Sequence, residues 1–331
     1  MQYITRADEY DSAENTGEAH LTTVSTNPPT PEANPDSGDH DREPDQIKFV
    51  AGPTGSRYQC VIDTKSDSIF VRIREAYVWR DLLLMLVQRD IKVRYRQTIF
   101  GIVWAIFVPL MTLGVYWLVF EKLIQRVATN GLAYPIFLFP ALVIWNYFAS
   151  SVGRAANALK QDAPILSKVY FPRLLLPLAS ITSPIVDFGF GLLMLVVILV
   201  IYQHPPGLGV FILPVYLLLA ITAAAGMGLG LSVLNAHYRD VQHFLPVLLQ
   251  LWFFCSPILY STNDLVPERF QIWYALNPMV TVCEGARSCL LNEPLQISME
   301  MMLVSCGSAV VMLIVGLLTF MKLEQNVTDV I

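Results

Sequence analysis

Beyond Gln97 the chain is organised by six apolar runs separated by short polar stretches. They cover residues 98–120, 134–151, 174–202, 208–234, 244–260 and 301–321. A bilayer core of about 30 Å needs about 20 apolar helical residues, so each run reads as a membrane helix. The second and fifth are the short ones. Each contains proline: Pro140 in the second, Pro246 and Pro257 in the fifth. Neighbouring helices satisfy the backbone groups that such prolines free. The pattern predicts an all-α polytopic membrane protein with six transmembrane helices.

The segment before the first run has a different pattern. Over 75–97, Trp79, Leu82, Leu83, Leu86 and Val93 share one helical face. Asp81, Gln88, Lys92 and Arg96 share the opposite one, and Asp90 falls on the wrong side. A basic amphipathic helix next to a span reads as an N-terminal interfacial helix lying along the membrane. Upstream, "YQCVI" and "SIFVRI" suggest short strands within 57–72. Residues 1–56 are rich in Asp, Glu, Ser, Thr, Asn and Pro. They cannot bury enough apolar surface to offset the entropy of ordering, which predicts a disordered acidic tail. The expected division is therefore 1–56 tail, 57–97 cytoplasmic segment with the interfacial helix, and 98–331 transmembrane domain.

Basic residues set the orientation. Arg72, Arg74, Arg80, Arg89, Lys92, Arg94 and Arg96 precede the first run. Arg154, Lys160, Lys168 and Arg173 lie between the second and third, Arg239 between the fourth and fifth, and Lys322 after the sixth. The other face carries only Lys122, Arg126, Arg269 and Arg287. The positive-inside rule then places both termini in the cytoplasm. The stretch 261–300 falls outside. Its "FQIWYAL" and "MVTVCEGARSCLL" are apolar but too short to span, and Asn277-Pro278 separates them. They fit two short half-inserted external helices, or a plain amphipathic loop, with Glu284 and Arg287 exposed or paired.

Composition agrees. The 331 residues are 54% hydrophobic and 15% charged, with mean hydropathy +0.49, whereas soluble domains carry about 25% charge. The net charge of −5 averages an acidic tail and a locally basic body, so it says little about partners. The five cysteines form no Cys-x-x-Cys pair and have no His at zinc spacing; they read as free apolar residues. The acidic start lacks the apolar core of a signal peptide.

Catalytic motifs are missing. "GPTGSR" and "GRAANALK" both fail the phosphate-binding loop pattern. No His-Glu-x-x-His cluster or Gly-x-Ser-x-Gly elbow occurs. The chain reads as a non-enzyme with no cofactor or metal of its own. If it pumps, the energy comes from another chain.

Three features remain as candidates. Asp187 ("SPIVDFGFG") is the acid deep in a span, where ionisable groups are costly and mark function. A proton relay or substrate contact competes with a structural acid bonded to Ser183 or a neighbouring helix. Without a second intramembrane carboxylate or His, the structural role is favoured. Aromatics gather near span ends, and interfacial belts explain most of them. Sugar rings also stack on aromatics, so Trp145, Tyr147, Phe148, Trp252, Tyr260 and Trp273 are candidates to line a glycan path. The segment "GRAANALKQDAPILSKVYFPR" (153–173) is a cytoplasmic connector of mixed charge, or a short projecting helix with a docking surface. "AAAGMGLG" (223–230) permits close helix approach.

Several blocks carry a resemblance. They are "RDIKVRYRQTIFGIVWAIFVPLMTLGVYWLVF", "FPALVIWNYFASSVGRAANAL", "ILSKVYFPRLLLPLAS", "LNAHYRDVQHFLPVLLQLWFFCSPILY", "LNPMVTVCEGARSCLL" and the final "DVI". Together they resemble ABC-2 type permeases of polysaccharide and O-antigen exporters, over roughly 77–331. Teichoic-acid and capsule permeases share the pattern. The resemblance implies six spans, a permease homodimer, and two copies of a separate ATP-binding subunit that carries ATP and Mg. It implies export of an undecaprenyl-diphosphate-linked glycan across the bacterial cytoplasmic (inner) membrane. Membrane lipids are the other partners, and nucleic acid is not one. By resemblance the region of Asp162, Ile165, Ser167, Lys168 and Tyr170 is a coupling helix docking into the ATPase. The helices around 273–291 are an external re-entrant pair. Lys92, Arg94 and Arg96 are candidates for the carrier-lipid head group, against the simpler reading of positive-inside bias and anionic-lipid binding. An ABC-2 exporter of a hydrophobic small molecule is the alternative function. A proton-coupled carrier is a third class, which the single Asp187 disfavours.

Overall fold

The computed structural model describes residues 77–96, 101–124, 132–166 and 171–324. The strands expected within 57–72, the acidic tail, and Ser167, Lys168 and Tyr170 lie outside the described residues. What is described is helical. Helix α1 is Arg80–Arg96, α2 is Gly101–Trp117 continuing as a π-helix over Leu118–Ile124, and α3 is Tyr134–Gln161. Helix α4 is Ala163–Leu166, α5 is Leu175–Thr182 and α6 is Ile185–Ile201. A 3-10 turn, Leu208–Ile212, leads into α7, Leu213–His237. Then follow α8 (Val241–Phe254), α9 (Thr262–Leu265), α10 (Glu268–Tyr274), α11 (Pro278–Leu291) and α12 (Met299–Glu324).

Among the described residues, four stretches are long and apolar enough to cross a membrane: Tyr134–Gln161, Leu175–Ile201, Leu208–His237 and Met299–Glu324. Two shorter apolar helices, Ile106–Glu121 and Val241–Phe254, occupy the first and fifth predicted runs. The fifth run was expected to reach residue 260, but α8 stops at Phe254. Beyond it the chain turns, and the Asn277 side chain donates to the Cys255 carbonyl (3.1 Å) and to Ser256 Oγ (2.9 Å).

Helix α3 is the central element. The apolar run was expected to end near Ser151 and to be followed by a plain connector or a short projecting helix. The helix runs on to Gln161 because "GRAANALKQ" is Ala-rich, has no proline, and buries Ala155, Ala156, Ala158 and Leu159.

Helices α5 and α6 are one membrane segment broken at Ser183-Pro184, where proline lacks the N–H the ladder needs. The Ile181 carbonyl at the break accepts from Tyr147 (3.1 Å) and Ser151 (3.2 Å), both on α3. Helices α7 and α12 cross in near backbone contact. A Cβ added at Gly316 would lie 1.9 Å from the Gly226 carbonyl oxygen, so only glycine permits this approach.

Helix α1 packs through Leu82, Leu83, Leu86, Val87 and Ile91 onto Leu159, Leu175, Leu176, Val233 and Phe320. Val93 and Trp79, assigned to the predicted apolar face, are 59% and 41% exposed. Asp90, the misplaced acid, is neutralised by Arg89 at 2.8 Å.

Candidate functional site

A cavity of about 260 Å³ lies between α2, α3 and α8. Thr112, Tyr116, Leu142, Trp145, Asn146, Leu249, Gln250, Phe253 and Phe254 line it. Tyr116 stacks on Phe253 with ring centres 5.6 Å apart, and Trp145 meets the same ring edge-on at 5.7 Å. Among the described residues neither the Asn146 nor the Gln250 carboxamide has a side-chain hydrogen bond, while Thr112 donates to its own helix at Val108 O (2.9 Å). The wall therefore presents flat aromatic faces beside two uncommitted amides. Amides of that kind in an apolar segment need a polar ligand, water or a partner chain.

Of the six aromatics predicted for a glycan path, Trp145 alone lines this cavity. Phe148 is buried between Trp145 and Trp252. Tyr147 is buried and bonded at the α5–α6 break. Trp252 donates from Nε1 to Asn277 Oδ1 at 2.9 Å. Tyr260 lies 3.0 Å from the Tyr274 hydroxyl and donates to Phe254 O. Trp273 stands 72% exposed on α10. The sequence reading missed Asn146 and Gln250, although an amide inside an apolar run is a readable signal: "LVIWNYF" and "LLQLWFF".

Helix α11 is almost wholly buried and starts at Asn277, whose Oδ1 caps the Met279 N–H at 3.0 Å. Its Arg287 pairs with Glu284 at 2.9 Å. Arg287 also donates to the carbonyls of Phe137 (3.1 Å), Pro257 (2.8 Å) and Ile258 (3.2 Å), and covers the Phe137 ring. Glu284 Oε1 accepts from the backbone and hydroxyl of Thr262, both at 2.8 Å. Both formal charges are paired and four of the five guanidinium N–H donors are used, so the pair serves as an internal clamp.

A second polar cluster joins α1 to the bundle. Arg89 bridges Asp90 and Asp162, with 2.7 Å to Asp162 Oδ2. Burial works against its charge, but the hydrogen bonds and attraction of the two carboxylates outweigh it and raise its pKa. Asp187 is not solitary. It accepts from Arg94 Nη1 and from the Tyr95 hydroxyl. Both partners lie on α1, a neighbouring helix. Ser183, the other partner considered, has a buried hydroxyl bonded to nothing among the described residues. Burial first, then the Asp187 hydrogen bond, pushes the Tyr95 phenol up to about 12. Lys92 and Arg96, grouped with Arg94 by sequence, are exposed and stand apart from this cluster. Ile165 is 37% exposed on α4, beside Asp162.

The described residues thus form a helical fold with several helices apolar enough to cross a membrane and an open polar-aromatic groove between three of them. Residues 81–291 match the ABC-2 type transporter family, and the chain belongs to it. It is similar to the O-antigen export system permease protein RfbA of Myxococcus xanthus, 32% identical over 241 residues, covering 72% of this chain and 92% of that protein. Two proteins of the same name from Klebsiella pneumoniae are 29% identical over 265 residues and 30% identical over 252. These cover 80% and 76% of this chain, and 100% and 95% of theirs.

Proposed function

We propose that this chain is the permease subunit of an ABC exporter that moves an O-antigen or similar lipid-linked glycan across the bacterial cytoplasmic membrane. Two copies pair, and two separate ATP-binding subunits supply the energy. The four long helices and the two shorter ones make six crossings with both termini cytoplasmic. Helices α10 and α11 form the external re-entrant pair. Asp162, Ile165, Ser167, Lys168 and Tyr170 face the ATPase. Arg89, bound to Asp162, would pass movement of that segment to α1.

The observation that carries this reading is the cavity of Tyr116, Trp145, Asn146, Gln250 and Phe253. A sugar offers C–H faces to the rings and hydroxyls to the amides. A hydrophobic drug needs the rings but leaves both amides unsatisfied. Deleting the gene and scoring surface polysaccharide tests the reading. Loss of surface glycan, with lipid-linked glycan accumulating inside, is expected. Unchanged surface glycan overturns it.

A further inference from the structure

Asn277 is the residue before α11, with its backbone extended at φ −78° and ψ 110°. A carboxamide has two acceptor and two donor directions, and here all four are taken. Oδ1 accepts from the Met279 N–H (3.0 Å) and from the Trp252 indole Nε1 (2.9 Å). Nδ2 donates to the Cys255 carbonyl (3.1 Å) and to Ser256 Oγ (2.9 Å). The amide can face only this way, because two N–H groups meet one end and a carbonyl meets the other. Capping α11 requires one acceptor contact, which Ser, Thr or Asp would also supply. The other three bonds all reach α8 and the two residues after it, more than twenty residues back in the chain.

Trp252 does not line the cavity; it stands behind the wall. Its ring meets the buried Phe148 edge-on at 5.4 Å, and Phe148 lies 5.4 Å from Trp145, which does line the cavity. Trp145 in turn meets Phe253, the ring on which Tyr116 stacks. One line of rings thus runs from the Asn277 amide to the cavity wall. Edge-on contacts depend on ring orientation. A half-buried indole has several rotamers, and a bond to its Nε1 selects among them. Ser256 closes the arrangement by donating to the Trp252 carbonyl at 2.9 Å.

We propose that Asn277 is a positioning residue of the cavity: by fixing the Trp252 indole it sets, through Phe148, the angle at which Trp145 faces a passing ligand. The inference rests on the reading of this cavity as the glycan route. The same bonds hold α8, which carries Gln250 and Phe253 of the wall, to the start of α11. Loss of the amide therefore turns a ring without removing any side chain that lines the cavity.

The test uses the purified full chain labelled with fluorotryptophan and read by fluorine NMR. The lines of Trp145, Trp252 and Trp104 are assigned by their loss in Trp145→Phe, Trp252→Phe and Trp104→Phe. Asn277→Ser keeps an oxygen for the cap but stops short of the indole. It should shift or split the Trp252 and Trp145 lines and leave that of exposed Trp104 in place. Asn277→Asp, which still accepts from both N–H groups, should keep both lines closer to their wild-type positions. When the variants complement the deletion strain, surface glycan should fall several-fold in Asn277→Ser at normal membrane levels, and Asn277→Asp should recover part of it. A Trp145 line unmoved by Asn277→Ser overturns the inference and leaves Asn277 as a cap alone. Wild-type export by Asn277→Ser despite a displaced Trp145 line overturns it as well. Should Asn277→Ser fail to fold, the wild type still decides. The Trp252 indole N–H should exchange with heavy water several-fold more slowly than that of exposed Trp273, and equal exchange overturns the bond on which the inference stands. Intact surface glycan in the deletion strain instead defeats the export reading and leaves the ring positions as measured.

Discussion

Arg287 and Glu284, one turn apart on α11, hold each other at 2.9 Å with side chains only 5% and 1% exposed. Through the Phe137, Pro257 and Ile258 carbonyls and Thr262, the pair ties α11 to α3 and to the chain after α8. Removing one partner strands the other as a buried charge, at a cost of about 3–5 kcal/mol. Glu284→Ala and Arg287→Ala should each lower the melting temperature of the detergent-purified protein sharply. The double variant should lose less than the two single losses combined. A single variant that melts with wild type contradicts the clamp.

The α7–α12 crossing gives a second expectation. At Gly316 a methyl group collides with backbone, not with a movable side chain. Gly316→Ala should therefore force the helices apart and reduce both yield and melting temperature. Gly307 on the same helix faces open space. Gly307→Ala should be neutral or stabilise by about 0.5–1 kcal/mol, since alanine is the better helix former. Equal effects of the two substitutions contradict the close crossing.

Apolar run length located the four long apolar stretches and the two shorter apolar helices, because length and hydropathy are local properties of the sequence. Contacts were legible only where partners are close in sequence, as with Glu284 and Arg287. Asp187 read as a lone acid because Arg94 and Tyr95 lie more than ninety residues away in the chain. That α3 continues unbroken from Tyr134 to Gln161 was not legible from the apolar run, because its last ten residues carry charge. Lys160 donates to Asn235 on α7 at 3.0 Å. The cavity required three helices to converge, so Tyr116, Asn146, Gln250 and Phe253 could not be grouped from spacing alone.

Arg89 and Asp162 join α1 to the segment proposed to meet the ATPase. Arg89→Asp should reduce glycan export in a reconstituted permease–ATPase complex while leaving hydrolysis running. Combining it with Asp162→Arg should restore part of the coupling by rebuilding the pair in reverse. If the reversed pair exports no better than the single variant, the bridge has no coupling role.

The Tyr95 phenol provides a direct reading of the α1–α6 contact. Its pKa in the folded protein stands at about 12, above the ordinary 10, through burial and the Asp187 hydrogen bond. The neutral phenol is favoured by folding. Its contribution to stability is complete below pH 10 and disappears as pH rises through about 12. Ultraviolet titration of wild type minus Tyr95→Phe should show the high value, and Asp187→Asn should lower it. A difference spectrum titrating near 10 contradicts the contact.

Asn146 and Gln250 offer the sharpest separation of sugar from drug. Both amides line the cavity without side-chain partners, beside stacked Tyr116 and Phe253. If glycan hydroxyls bond to them during passage, replacing either with leucine removes that bond and leaves the rings intact. The fold should tolerate the change, because no internal hydrogen bond is lost and leucine suits an apolar span. Export of lipid-linked glycan should fall several-fold in Asn146→Leu and Gln250→Leu, and further in the double variant, with normal membrane levels. A drug path predicts the opposite sign. Making the wall more apolar should then leave transport unchanged or improve it, and export of glycan at wild-type rate by the double variant removes this cavity from the route.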